Sequence, residues 1–111
     1  MKLDRFNLMS SRELVSVTIV TYNSGRYIRR CLESVLGQKY PRLEIVVVDN
    51  ASTDGTIDLL ENFEDRCLVV YNEENIGFAA AQNQAIALAR GEWVLTLNPD
   101  VVLLDEPTNH L

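Results

Sequence analysis

The hydrophobic positions of this chain follow two alternating periods from residue 15 onward. Runs of four to six residues rich in β-branched side chains are typical of strands and occupy 15–20, 43–48, 67–71 and 92–97. Between them, apolar residues recur at helical spacing over 24–38, over a short segment from Ile57 to Phe63, and over 77–90. The pattern therefore predicts the element order βαβαβαβ.

Strands that alternate with helices predict an α/β fold, in which a parallel sheet is covered by helices on both faces. The run "IVVV" (45–48) contains no polar residue, as is typical of a strand buried on both sides. We therefore predict one three-layer domain over 15–102. Residues 1–14 form an N-terminal extension, and 103–111 form a tail of uncertain origin.

Composition and charge narrow the class of protein. The 111 residues are 47% hydrophobic and carry a net charge of −6, so we expect one small domain without the clustered basic surface that nucleic-acid binding requires. Cys31 and Cys67 lie far apart and are predicted to be buried thiols of a reducing compartment. No apolar run reaches the ~18–20 residues of a transmembrane segment. The first 14 residues lack the apolar stretch of a signal peptide, so we expect a cytoplasmic location.

Polar residues follow every predicted strand. The carboxyl ends of parallel strands share one edge of a sheet, and ligands of α/β proteins bind there. The four polar clusters that this edge would carry are 21–23, 49–52, 72–75 and 98–100. Together they predict a ligand site.

Three residues of this edge have specific candidate roles. Asp49 follows a buried strand and could accept hydrogen bonds from a base or a ribose, or it could cap the next helix. Gly77 could let a ligand approach the backbone, or it could be needed for entry into the helix. Asp100, beside Pro99, is a candidate ligand for Mg²⁺ or Mn²⁺, although Asn-Pro-Asp is an ordinary turn in most proteins. The GxGxxG and GxxxxGK[ST] motifs are absent, which argues against dinucleotide and P-loop sites.

Four segments resemble the family 2 glycosyltransferases in order and spacing: "VSVTIVTYN", "IVVVDNASTDGT", "NIGFAAAQNQAI" and "ARGEWVLTLNPDV". The resemblance extends from residue 15 to about 102 and is strongest to rhamnosyltransferase-like enzymes of bacterial surface polysaccharide synthesis. It implies the nucleotide-sugar-binding half of a GT-A, Rossmann-like fold. It also implies a UDP- or dTDP-sugar donor and a Mg²⁺ or Mn²⁺ cofactor.

The resemblance also implies roles for individual residues. The base and ribose would be lined by Thr21, Tyr22 and Asn23. Asp49 would bond the uracil or thymine ring, supported by Asn50 and Ser52. The diphosphate and base would be flanked by Asn75, Gly77, Phe78 and Asn83. Asp100 would bind the metal within Asn98-Pro99-Asp100, where Asn98 replaces the first aspartate of the family's motif.

The implied reaction is displacement with inversion at the sugar's anomeric carbon, onto a carbohydrate or lipid-linked acceptor at the inner membrane face. The family's catalytic base and acceptor pocket would lie beyond residue 111. We therefore expect a truncated sheet with an exposed edge, self-association through that edge, and an inactive isolated chain. A non-catalytic nucleotide-binding module is the alternative.

The tail "LLDEPTNHL" (103–111) resembles the Walker B segment of ABC-type ATPases. That resemblance implies a Mg²⁺ ligand at Asp105, a group polarising water at Glu106 and a switch histidine at His110. No P-loop or LSGGQ element precedes the tail, so an ATPase segment is the least favoured function.

Overall fold

The computed structural model describes residues 13–104, which contain seven helices and strands. In chain order these are β1 (Val15–Thr21), α1 (Ile28–Leu36), β2 (Leu43–Asp49), α2 (Thr56–Glu61), β3 (Leu68–Tyr71), α3 (Phe78–Leu88) and β4 (Trp93–Leu97). The predicted order is confirmed. The largest difference in bounds is at α1, which begins four residues later than predicted. The carbonyl of Ser24 there accepts the N–H groups of Tyr27 and Ile28 in a turn that precedes the helix.

The four strands form one parallel sheet in the order β3-β2-β1-β4. Val15 at the start of β1 pairs with Leu43 of β2 and with Trp93 of β4. The chain therefore builds outward from β1 to β3, then crosses back to place β4 on the other side of β1. That reversal is the topological switch point at which α/β folds bind ligands.

Helices cover both faces of the sheet, which confirms the predicted three-layer arrangement. On one face α1 and α2 pack onto β1 and β2, and the buried residues there are Val17, Ile19, Ile28, Cys31, Leu32, Val35, Ile45, Val47, Leu60, Phe63 and Cys67. On the other face α3 packs onto Val20, Val46 and Val48 through Ala81 and Ala85. These alanines bring the backbone of α3 close to the sheet.

Both cysteines lie in the α1 and α2 layer as buried free thiols, as predicted. Burial raises the pKa of each thiol to about 11. The thiols therefore stay protonated near neutral pH and behave as apolar packing groups.

A polar cluster closes the edge of the sheet at the amino ends of the strands. Glu44 accepts hydrogen bonds from the Ser16 hydroxyl (2.5 Å) and the Arg90 N–H (2.6 Å), and it forms an ion pair with the Arg90 guanidinium (3.1 Å). Partial burial opposes ionisation of Glu44, but the bonds from Arg90 and Ser16 outweigh it and hold its pKa below the usual value. The cluster ties β1 and β2 to the segment between α3 and β4.

Gly91 has a different role from the helix stop that its position suggests. The helix α3 ends at Leu88, and Ala89 is already extended (ψ 137°). Gly91 instead donates its N–H to the Ser16 hydroxyl (2.8 Å) and packs against the backbone that leads into β1. The absence of a side chain is what allows this approach.

The outer side of β4 is exposed in the part of the chain that the structure describes. Within residues 13–104, β4 pairs only with β1, and the exposed fractions of Trp93, Val94 and Leu95 are 62%, 43% and 43%. Strand residues alternate between the two faces of a sheet, so apolar surface is uncovered on both. Across residues 13–104 we find no helix with the length and apolar character needed to cross a membrane.

Candidate functional site

A cleft of about 360 Å³ opens at the carboxyl ends of β1 and β4, beside the start of α3. Its lining residues are Val20, Tyr22, Ser24, Asn50, Asn75, Gly77, Phe78, Asn98 and Pro99. The cleft coincides with the topological switch point of the sheet. A larger groove, lined in part by Leu43, Arg66 and Leu88, lies at the opposite edge of the sheet, at the amino ends of the strands. It is therefore remote from the topological switch point.

Six of the residues predicted for the site line the cleft: Tyr22, Asn50, Asn75, Gly77, Phe78 and Asn98. The other six are not among its lining residues: Thr21, Asn23, Asp49, Ser52, Asn83 and Asp100. Of these, Asn83 and Asp100 are exposed, on α3 and after β4. Of the remaining four, Thr21 and Asp49 are the last residues of β1 and β2, and Asn23 and Ser52 lie in the loops that follow.

Asp49 is fully buried, and both of its carboxylate oxygens are occupied by this chain. One oxygen accepts the hydroxyls of Thr21 and Ser52, each at 2.6 Å, and the other accepts the Ser52 N–H at 2.9 Å. The carboxylate thus fastens the loop after β2 to the end of β1. This places Asp49 behind the cleft wall.

Asn23 and Ser52 join the two loops directly. The Asn23 N–H donates to the Ser52 hydroxyl (2.8 Å), and the Asn23 side-chain oxygen accepts the Thr53 N–H (2.8 Å). Asn23 has φ 50°, a left-handed conformation that asparagine tolerates better than most residues. The loop after β1, which carries Tyr22 into the cleft, is therefore held by the loop after β2.

Asp54 provides the entry to α2. One of its oxygens accepts the N–H and the hydroxyl of Thr56 (3.0 and 2.5 Å), and the other accepts the Gly25 N–H (3.1 Å). The hydrogen bond from the Thr56 hydroxyl is the main cause that lowers the pKa of Asp54. Asp54 therefore makes the contact at the start of α2, whereas Asp49, which the sequence also allowed as a cap, accepts hydrogen bonds from Ser52 and Thr21.

The residues at the start of α3 form one wall of the cleft. Gly77 has φ 91°, which side chains other than glycine rarely adopt, and its N–H donates to the Asn75 side chain (2.8 Å). A Cβ at Gly77 would meet no atom within 4 Å, so backbone conformation rather than space within the protein requires this glycine. Phe78 follows with an exposed fraction of 57%, and Tyr22 is 51% exposed. Two aromatic rings thus stand at the cleft with much of their surface free.

Asn98 and Asp100 are exposed at the end of β4, where the Val101 N–H donates to the Asn98 carbonyl (3.0 Å) in a turn. The Sγ of Cys31 on α1 lies 3.9 Å from the Asn98 carbonyl oxygen of this turn, and the charge of Asp100 adds to burial in raising the pKa of Cys31. Among residues 13–104, no three His, Cys, Asp or Glu side chains converge as a metal-binding group. A cation here would need oxygen ligands from a bound molecule or water in addition to Asp100.

Asn72 lies in one of the predicted polar clusters, but its pairing with Gln84 in the same region was missed by the sequence interpretation. Their side-chain amides pair reciprocally, at 2.8 and 3.0 Å, and Asn72 also donates to the Asn50 side chain at 3.0 Å. Asn72 lies in a loop and Gln84 in a helix, and nothing in the sequence around either residue indicates that they pair. Only the packing of α3 against the end of β3 brings them together.

The parallel sheet with a cleft at its switch point defines an α/β protein of the kind that binds ligands at this edge, and comparisons with known proteins specify the family. The model of glycosyl transferase family 2 matches residues 16–108. The chain belongs to this family.

Individual relatives agree with the family match. TuaG of Bacillus subtilis, named for teichuronic acid biosynthesis, is 45% identical over 92 residues, which are 80% of this chain and 36% of TuaG. Staphylococcus aureus TarS in complex with UDP is 37% identical with a TM-score of 0.72, over 78% of this chain and 27% of that one. The mannosyltransferase PcManGT of Pyrobaculum calidifontis, in complex with GDP-Man and Mn²⁺, is 36% identical with a TM-score of 0.76, over 81% and 28%. The chain thus spans about a third or less of the length of these relatives.

The tail that resembles an ATPase segment is only partly described. Leu103 donates its N–H to the Ser34 hydroxyl (2.9 Å), and Leu104 is exposed. Asp105, Glu106 and His110 lie outside the described residues. The family match continues through residue 108, and nothing in the comparisons supports the ATPase prediction.

Proposed function

We propose that this chain provides the nucleotide-sugar-binding part of a family 2 glycosyltransferase, with a UDP- or dTDP-sugar as the donor. The observation that carries the proposal is the cleft at the switch point of the sheet, in a chain 37% identical to TarS, which has been captured with UDP. The dTDP-sugar follows from the sequence resemblance to rhamnosyltransferase-like enzymes. In the complete enzyme the sugar passes to a carbohydrate or lipid-linked acceptor of surface polysaccharide or cell-wall synthesis.

The lining residues suit the parts of such a donor. Tyr22 and Phe78 offer exposed ring faces on which a planar base can stack. Asn75 and Asn98 supply amide groups for the ribose and the diphosphate, and Asn83 is the outermost candidate for the diphosphate. Thr21, Asn23, Asp49 and Ser52 act behind the wall by holding its two loops in place. The catalytic base stays unassigned.

Mg²⁺ or Mn²⁺ fits the chemistry of the residues at the end of β4. Asp100 offers one exposed carboxylate, and hard divalent cations are often held by one or two carboxylates together with phosphate oxygens and water. The Asn98 side chain can add a carbonyl oxygen or bind the diphosphate directly. A bound cation would supply positive charge beside the departing diphosphate.

The metal role is tested by Asp100→Asn, which removes one negative charge at nearly constant shape. We expect Mn²⁺ to tighten UDP binding to the unaltered chain by about tenfold, and the variant to lose this gain because an amide is a much weaker ligand for a divalent cation. Isothermal titration calorimetry with UDP, with and without Mn²⁺, measures both. Asp58→Asn, an exposed position on α2, controls for the change in net charge. An equal response to Mn²⁺ in the Asp100 variant would contradict the assignment.

Catalysis separates this proposal from a non-catalytic nucleotide-binding module. Either protein would bind UDP in a metal-dependent way. Only a glycosyltransferase would also transfer the sugar to an acceptor. The cytoplasmic location and the association with the inner membrane face stay predictions of the sequence.

We also propose that copies of this chain associate through β4. Within residues 13–104 the outer edge of β4 is unpaired, and this edge with the exposed Trp93, Val94 and Leu95 is a template for pairing with a second strand. We expect sedimentation velocity to show dimers or larger species at micromolar concentration, and Leu95→Lys to shift them to monomer because a charge on the edge opposes pairing. A monomeric unaltered chain across that range would refute the association.

A further inference from the structure

The residues that follow β4, 98–104, lie along α1 and form the segment that contains the proposed metal ligand. At the start of this segment, the Asn98 carbonyl oxygen lies 3.9 Å from the Cys31 Sγ. Near its end, the Leu103 N–H donates to the Ser34 hydroxyl (2.9 Å). Cys31 and Ser34 are about one turn apart on α1 and lie on the same side of the helix. Segment 98–104 thus contacts one surface of α1 at two points.

The Ser34 hydroxyl is fixed in its direction by the helix. It donates to the Cys31 carbonyl within α1 (2.7 Å), so only its lone pairs remain for another group. The Leu103 N–H binds to one of these lone pairs. The hydroxyl cannot rotate toward a different partner without losing its bond to Cys31, so α1 determines where the backbone of Leu103 is held.

Gln38, in the turn after α1, adds a second link to the same segment. Its side-chain nitrogen donates to the Ser34 carbonyl (3.1 Å) and to the Leu104 carbonyl (3.3 Å). The amide thereby connects the last turn of the helix to the end of segment 98–104. Leu103 also packs its partly buried side chain against the core on the α1 side of the sheet. Hydrogen bonds and apolar packing therefore act together at this end of the segment.

Asp100 lies between the two points at which segment 98–104 contacts α1. The Asn98 carbonyl accepts the Val101 N–H (3.0 Å), which closes a turn that contains Asp100, and Asp100 is exposed. Fixing a backbone conformation costs conformational entropy. Because the contacts with α1 fix this segment on folding, that cost does not fall on the binding of a ligand to Asp100.

We propose that Ser34 and Gln38 are positioning residues for Asp100, whose carboxylate they hold in place before a divalent cation and a nucleoside diphosphate bind. This inference rests on the proposed nucleotide-sugar function and its metal ion. Neither residue is among those that line the cleft, so both act through segment 98–104 rather than through contact with the ligand. Their loss is therefore expected to affect the part of nucleotide affinity that depends on the cation.

The decisive substitution is Ser34→Ala, which removes the acceptor of the Leu103 N–H and places a strong helix former in α1. Isothermal titration calorimetry measures the affinity for UDP or dTDP, whichever binds more tightly, with and without Mn²⁺. The ratio of the two affinities isolates the contribution of the cation. We expect this ratio to fall from about ten in the unaltered chain to about three in Ser34→Ala, with the affinity in the absence of Mn²⁺ unchanged.

Asn62→Ala is the control for the removal of a polar side chain. Asn62 is exposed at the end of α2, and its amide donates to the Asp58 carbonyl of the same helix (3.4 Å). This variant should keep the ratio of the unaltered chain, because its contact does not involve segment 98–104.

Gln38→Met tests the second link. Methionine is also long and unbranched, but it has no donor for the Leu104 carbonyl. We expect a ratio of about five, because the contact between Ser34 and Leu103 remains. The double variant with Ser34→Ala should have a lower ratio than either single variant.

Amide hydrogen exchange, measured by NMR without metal or nucleotide, tests the positioning of the segment directly. We expect the Leu103 amide to exchange about tenfold faster in Ser34→Ala than in the unaltered chain, while the amides of β1 keep their rates. Faster exchange throughout β1 would show that Ser34 stabilises the fold as a whole, and would refute a positioning role.

The outcomes separate this inference from the proposals on which it rests. If the unaltered chain binds neither UDP nor dTDP, the nucleotide-sugar function fails and the positioning role fails with it. If the nucleotide binds but Mn²⁺ has no effect, the metal assignment and the positioning role fail while the function stands. If Asp100→Asn loses the response to Mn²⁺ but Ser34→Ala and Gln38→Met keep it, only the positioning role fails. An equal fall in the affinity of Ser34→Ala with and without Mn²⁺ would also contradict it.

Discussion

Replacing Gly91 by alanine is expected to destabilise the fold by about 3 kcal/mol or more, a large part of the stability of a small domain. A Cβ at this position would lie 2.6 Å from the Leu14 carbonyl oxygen, 2.7 Å from the Ser16 hydroxyl and 2.8 Å from the Ser16 backbone nitrogen. Two of these atoms belong to the backbone leading into the central strand, which cannot shift without disturbing its pairing with β4. The free energy of unfolding in urea measures the effect.

Gly37→Ala is the matched control for Gly91→Ala. Gly37 ends α1 at φ −83°, is exposed, and would place a Cβ 3.3 Å from the Glu33 carbonyl, a contact that a small shift at the helix end relieves. We expect a change of about 1 kcal/mol or less there. Equal destabilisation by the two substitutions would show that steric contact with β1 is not what requires glycine at position 91.

Local periodicity was enough to predict the elements and their layers. "VSVTIV" and "LEIVVV" contain no Gly, Pro, Asn or Asp and form the two inner strands, and the apolar pairs from Ile28 to Val35 form the buried face of α1. The shared edge for the polar clusters followed from the parallel sheet alone. These features depend on neighbours in sequence or on the general topology of α/β folds, so a single sequence contains them.

Contacts between distant parts of the chain were beyond the sequence. Gly91 follows α3 closely in sequence, where a glycine commonly ends a helix, but its packing partners are Leu14 and Ser16. Asn72 and Gln84 are joined only by the folding of α3 over the sheet. Such pairings depend on tertiary register, which no local pattern specifies.

The sequence also could not predict which way a polar side chain at the end of a strand points. A carboxylate at the end of a buried strand can face the ligand or the adjacent loop, and the same sequence pattern is compatible with both. The difference depends on whether donors converge on it. At Asp49 they do, from Thr21 and Ser52, so the carboxylate faces the adjacent loop.

Replacing Asp49 by alanine is expected to cost about 4 kcal/mol of stability, because it leaves three buried donors without their acceptor. These donors are the hydroxyls of Thr21 and Ser52 and the Ser52 N–H, all within 2.9 Å of the carboxylate. Loss of these hydrogen bonds would release the loop after β2 from the end of β1. Urea unfolding monitored by circular dichroism measures the stability, and UDP titration of the same samples measures binding.

Asp58→Ala is the control, since Asp58 is an exposed carboxylate in the first turn of α2 and its removal should cost about 0.5 kcal/mol. The pair of measurements distinguishes the contacts that hold the two loops together from the base contact that the sequence resemblance implies for Asp49. If Asp49 holds the loops, the alanine variant loses stability, and its nucleotide affinity falls as a consequence. A variant that unfolds like the unaltered chain yet no longer binds UDP would instead identify Asp49 as a direct contact of the base, with its donors rearranged in the bound state.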